Sequence, residues 1–131
     1  MPLRTCPSCQ KDALTVHGEC PNCRGEWVSG ARMDAKAPGR LPYLRKHVAR
    51  GPPSEKSCPW CGVALKAFDV PGAQFEGDLF WGKETPRADT HCVAEGCAGC
   101  GGVWVEADQL ARGGGRDAVA ANLARLAEAL A

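Results

Sequence analysis

Eight of the nine cysteines in this chain fall into four Cys-x-x-Cys pairs: Cys6 and Cys9, Cys20 and Cys23, Cys58 and Cys61, Cys97 and Cys100. Two cysteines at that spacing on a tight turn can aim both sulfurs at one ion. Two such turns complete a closed tetrahedral all-sulfur site, the geometry of structural zinc. The pattern also repeats. Cys97-Ala98-Gly99-Cys100-Gly101-Gly102-Val103-Trp104-Val105 matches Cys20-Pro21-Asn22-Cys23-Arg24-Gly25-Glu26-Trp27-Val28 at Cys, Cys, Gly, Trp and Val, 77 residues apart. Taken in order, the pairs give one site from Cys6, Cys9, Cys20 and Cys23 and a second from Cys58, Cys61, Cys97 and Cys100. Two zinc ions per chain are expected. A crossed arrangement, first pair with third and second with fourth, uses the same residues. Gly25 and Gly102, two residues past the last ligand of each copy, are placed to finish the turns in the left-handed conformation.

The rest of the composition makes such staples necessary. Ten Leu, nine Val and three Phe, with no Ile, are 22 of 131 residues. At about 17%, that is below the level at which a chain readily builds a core. Net charge is only +1, which argues against disorder. A small chain this poor in core residues needs metal or disulfides. Met1 to Cys6 contains no apolar run of signal-peptide length, and the cysteine count is odd. Metal in a reducing cytoplasm is the expectation, with no membrane span, because no stretch of about 18 apolar residues occurs.

Cys58-Pro59-Trp60-Cys61 followed by Cys97-Ala98-Gly99-Cys100-Gly101-Gly102-Val103-Trp104-Val105-Glu106-Ala107-Asp108-Gln109-Leu110 resembles the small bacterial zinc ribbon named after transcription factor IIB. The first copy is similar but degenerate, with Arg24 and Glu26 inside its second turn. The resemblance covers about half the chain. With it, the expected fold is small and metal-stabilised, mostly β with short helices: two tandem zinc ribbons, to which the residues after Gly115 add a C-terminal α-helix. The resemblance also implies contact with nucleic acid or transcription-type machinery.

Along the chain, residues 1–30 form the first ribbon. Leu14 and Val16 alternate with Thr15 and His17, predicting a short half-buried strand. His17 is either a surface residue or a substitute ligand. Residues 31–57 form a basic linker broken by Pro38-Gly39, Pro42 and Gly51-Pro52-Pro53, with seven basic residues against two acidic. Pro42 to Arg50 predicts a short helix with Leu44, His47 and Val48 on one face. Arg40, Arg45, Lys46 and Arg50 are the candidate contacts for phosphates or an acidic protein; a solvated linker is the plainer reading.

Residues 58–112 form the second ribbon, with a long hairpin insert. Val63 to Val70 reads as a strand, Pro71-Gly72 as a turn, Gln74 to Trp81 as a second, irregular strand, and Thr90 to Ala94 as a third. Phe75, Phe80 and Trp81 are either hairpin core or an exposed stacking platform. The insert is acidic, which disfavours nucleic acid at that surface. Trp27 and Trp104 occupy equivalent positions, and packing over each hairpin is their expected role. Cys92, preceded by His91, is the cysteine left over: either a small buried side chain or an alternative ligand to the second site.

Glu106 to Arg112 predicts a short helix stopped by Gly113-Gly114-Gly115, and Asp117 is placed to cap another over 116–131. There Val119, Leu123, Leu126 and Leu130 form a narrow apolar stripe, which either docks internally or pairs two chains. An enzyme is not expected. Cys58-Pro59-Trp60-Cys61 looks superficially like a redox dithiol, but metal ligation explains all four pairs and redox chemistry only one. No nucleophile–base set, carboxylate pair or phosphate-binding glycine loop is evident. The reading is a non-catalytic zinc-binding adaptor contacting nucleic acid or transcription-type machinery. The alternative is a protein–protein interaction module without nucleic-acid contact.

Overall fold

The computed structural model describes residues 4–72 and 91–131. Nine elements follow one another among the described residues: β1 (Glu26–Val28), α1 (Gly30–Lys36), α2 (Leu41–Ala49), β2 (Pro53–Ser57), β3 (Ala64–Val70), β4 (Cys92–Gly96), β5 (Val103–Val105), α3 (Ala107–Arg112) and α4 (Arg116–Ala129). The strands form one antiparallel sheet in the order β1-β5-β4-β3-β2. The proposed strand Gln74–Trp81 and the aromatics Phe75, Phe80 and Trp81 lie outside the described residues.

The period-2 alternation of the strands sorts their side chains into two cores. Val28, Val103, Val105, Phe68, Val70, Cys92 and Ala94 face one side. Trp27, Trp104 and Leu65 face the other, among the cysteines of the four pairs. On the first side α1, α2 and α4 form the covering layer, through Met33, Ala37, Leu44, Val48, Val119, Leu123 and Ala127. The sheet therefore has a helical face and a sulfur face.

Residues 31–57 are built into this layer. Ser29 caps α1, its Oγ accepting from the Arg32 N–H at 3.2 Å. Helix α2 carries Pro42 in its first turn and buries Leu44 and Val48, while His47 meets the Phe68 ring edge-on at 6.1 Å. Strand β2 opens on Pro53 at the sheet edge, where a missing N–H costs nothing.

Two local expectations change, and a third point keeps one of its two alternatives. Leu14 makes only a single bridge to Arg4, and Val16 lies in an exposed turn, so no strand forms there. The cap of α4 is Gly115 at φ 102°, a conformation suited to glycine; Asp117 sits inside the first turn, where its charge complements the helix dipole. The stripe of α4 is used within the chain. Val119 and Leu123 are fully buried, and Leu126 and Leu130 pack against the same core, so the stripe is covered by described residues of its own chain.

Leu123→Glu is expected to free α4 for proteolysis without changing the mass in solution, since it places a charge where no partner waits. Leu123→Ala should cost about 2–5 kcal/mol. A wild-type dimer that Leu123→Glu converts into a stable folded monomer would contradict internal docking.

Candidate metal centres

Each cysteine pair sits on the same kind of turn. The N–H of its first cysteine donates to a carbonyl five residues on: Lys11, Gly25, Val63 and Gly102 in turn. The residue after its second cysteine donates back to the first cysteine's carbonyl, at 2.7–3.0 Å. That following residue is left-handed in all four: Gln10 (φ 60°), Arg24 (64°), Gly62 (72°) and Gly101 (78°). The left-handed position is thus one residue past the ligand, and Gly25 and Gly102 serve another purpose. In the second site the turns also send backbone N–H groups to sulfur, Cys61 to Cys58 at 3.3 Å and Cys100 to Cys97 at 3.4 Å.

The turns pair in sequence order. The sulfurs of Cys6, Cys9, Cys20 and Cys23 all lie within 4.8 Å of one another, as do those of Cys58, Cys61, Cys97 and Cys100. Separations of 3.4 Å for Cys6–Cys23, 3.7 Å for Cys9–Cys20 and 3.8 Å for Cys58–Cys100 exclude disulfides. They match the roughly 3.8 Å edge of a tetrahedron with Zn–S bonds of about 2.3 Å. Two four-cysteine clusters are therefore formed, each able to hold one zinc ion, and the four thiolates leave no open coordination position. Burial pushes the Cys6 and Cys58 thiols well above their ordinary range, while the Lys11 N–H, helped by the Asn22 side chain, draws Cys9 down to about 6. Zinc must displace the protons on the buried thiols, so its apparent affinity should rise with pH.

The other candidate ligands are elsewhere. His17 is exposed in the turn after Thr15 and belongs to neither cluster. Cys92 lies on the helical face of the sheet, 1% exposed, packed in the core with Val119. Its thiol is raised by burial. His91 pairs with Asp69 at 3.2 Å.

The two clusters are joined by an exchange of tryptophans. Strand β1 of the first ribbon pairs with β5 of the second, Trp27 opposite Trp104, Glu26 opposite Val105 and Val28 opposite Val103. A Cβ on Gly25 would overlap the Trp104 ring, and a Cβ on Gly102 would overlap the Trp27 ring. Each ribbon's glycine is the seat of the other ribbon's indole, a local two-fold relation between the repeats. Trp60 of the third turn adds to this, lying 5.5 Å from Trp27 with Arg4 above it at 5.5 Å. Glu106, which the sequence reading did not single out, accepts from Trp104 Nε1 at 2.7 Å and from Ser8 Oγ of the first turn. Glu26 replaces the valine of the second copy because it is 4% exposed and paired with Arg32 and Arg116, at 3.1 and 3.3 Å, tying β1 to α1 and α4.

Of the four basic candidates, Arg45 is a buttress: its Nε donates to the Ala98 carbonyl on the last turn at 3.0 Å. Arg40, Lys46 and Arg50 are exposed, and their side chains make no hydrogen bond or ion pair with any described residue. No described helix is long and apolar enough to cross a membrane. Comparison with protein-family models, with curated proteins and with solved structures finds no match.

Metal analysis should return two zinc ions per chain, retained by Cys92→Ser. Independent ribbons would let Cys97→Ser lose one ion and spare the first site. The shared strand pair and exchanged indoles predict otherwise: Cys97→Ser should also make the first site more readily stripped by chelator. A first site with wild-type chelator resistance in that variant would show the ribbons to be uncoupled. A milder test lies in the turns. Gly62→Ala has open space and should cost only the left-handed backbone, about 1 kcal/mol. Gly101→Ala should cost more, because its Cβ would meet Leu41 at 2.7 Å. Denaturant titration of the zinc-loaded proteins gives the order.

Proposed function

We propose that this chain is a non-catalytic zinc-binding adaptor that contacts nucleic acid, on its own or within transcription-type machinery, through the exposed face of α2. The observation that carries this reading is the solvent side of that helix. Arg40, Lys46 and Arg50 lie within one 120° arc of it at helical spacing, beside the stripe of buried Leu44 and Val48, and the helix contains no acid. The closed sulfur shells support a structural role for zinc, since a catalytic ion keeps a position for water or substrate. The resemblance of the second ribbon to the transcription factor IIB type points the same way.

A second reading has its own support. Trp60 is 45% exposed and Val16 68%, at a cleft of about 370 Å³ also lined by His17, Trp27, Arg32 and Arg116. Exposed aromatic and apolar side chains beside arginines suit a protein partner. Salt dependence separates the two. Nucleic-acid binding through α2 should be steeply salt-dependent, and changing Arg40, Lys46 and Arg50 together to Ala should flatten the slope by about two units. Arg45→Ala should instead weaken the second metal site. Absence of binding to any nucleic acid at low salt would leave the protein-partner reading in place.

A further inference from the structure

The same helix face carries one group that charge alone does not explain. Tyr43 is 39% exposed, three residues after Arg40 and three before Lys46. At 100° per residue, Arg40, Tyr43, Lys46 and Arg50 fall on one stripe, with the tyrosine inside the arc of the three cations. Tyr43 takes part in none of the ring contacts or side-chain hydrogen bonds among the described residues. The nearest carboxylate along the chain, Asp34, is occupied by the Gly39 N–H at 3.3 Å.

We propose that this stripe is a single-strand site, in which Tyr43 stacks on one unpaired base while Arg40, Lys46 and Arg50 hold the flanking phosphates. The proposal rests on the nucleic-acid reading above and narrows it. A duplex hides its base faces and offers phosphates only, so an exposed ring between cations adds nothing to duplex binding. A single strand presents base faces and phosphates together, and stacking is tolerant of sequence because every base has a π-face. The helix is short, nine residues, and is anchored in the core by Leu44 and Val48 on the neighbouring side. It therefore offers a rigid platform about one or two nucleotides wide, and binding should be correspondingly weak.

The test uses the zinc-loaded full chain and a fluorescently labelled oligothymidylate of about ten nucleotides, alongside a duplex of the same length. Wild-type protein should prefer the single strand. Tyr43→Ala should weaken single-strand binding by roughly 5- to 150-fold, the range expected for one lost stack, while leaving the salt slope and duplex binding unchanged. Tyr43→Phe should restore binding, because stacking needs the ring and not the hydroxyl. Lys46→Ala with Arg50→Ala should instead flatten the single-strand slope by about 1.4 units. Zinc content and circular dichroism identify any variant that fails through folding, and Tyr43→Phe serves as the folded control. Equal affinity for both probes, or Tyr43→Ala binding as tightly as wild type, overturns the stacking proposal and leaves the charge contact standing. If wild-type protein binds neither probe at low salt, the nucleic-acid reading itself falls.

Discussion

The fold depends on eight thiols reaching two tetrahedra. With 22 Leu, Val and Phe in 131 residues, the apolar side chains alone cannot offset the entropy of ordering the chain. Structural zinc in small modules brings about 10–16 kcal/mol of apparent binding energy, more than the typical net stability of about 5–15 kcal/mol. That energy arrives only if each turn is already shaped to present two sulfurs. The backbone secures this with the same pair of hydrogen bonds and the same left-handed residue four times over. In the second ribbon glycine takes that conformation at little cost. In the first, Gln10 and Arg24 take it with side chains in place, so the first site carries more local strain.

The sulfur centres set where the sheet can run. Each ribbon alone has too little surface to bury its tryptophan. Pairing β1 with β5 lets each indole lie over the glycine of the other copy, and Trp60 covers Trp27 from a third turn. The spacing Cys-x-Gly-x-Trp in both repeats thereby acquires a joint meaning. The glycine is small for the partner's ring, and the tryptophan is large for the partner's gap. With the sulfur face closed in this way, the opposite face of the sheet is left to three helices, which supply the larger apolar core.

Much of this was legible in the sequence, and the parts that were not share a cause. The eight candidate ligands follow from local spacing, though which turns share an ion does not, and β3, α2, α3 and α4 follow from turn residues and apolar periods that lie within a few positions of one another. Helix α1 was missed although Ser29 caps it and Met33 and Ala37 lie four apart, because 31–57 reads first as a broken basic stretch. Strand β2 has no apolar alternation to detect; it is an edge strand held by β3, and its alternate residues are only half-buried. The role of Gly25 and Gly102 was misread for the deeper reason. The local turn explains a glycine equally well, and only the contact across 77 residues shows that a side chain from the other repeat needs the space. Cys92 was ambiguous for the same reason: its distance from Cys97 is short along the chain, but strand alternation puts it on the other side of the sheet.

The allocation of charge separates residues that build the fold from those available to a partner. Arg32 and Arg116 neutralise the nearly buried Glu26, and Lys56 binds Glu95 at 2.9 Å. Removing any of these leaves a carboxylate wholly or partly without its counter-charge, so a loss of function in such a variant would be inseparable from a loss of stability. Arg45 belongs with them through the Ala98 carbonyl. Arg40, Lys46 and Arg50 differ in kind. Their heads reach solvent with no partner among the described residues, and substitutions at such positions usually stay within about 0.5 kcal/mol. A fold with few stabilising contacts to spare keeps three cations and a partly exposed tyrosine on one helix face, none of them in a side-chain hydrogen bond or ion pair among the described residues. Because the heads of those three cations carry no internal load, changes in binding measured at them report on the contact and not on the scaffold.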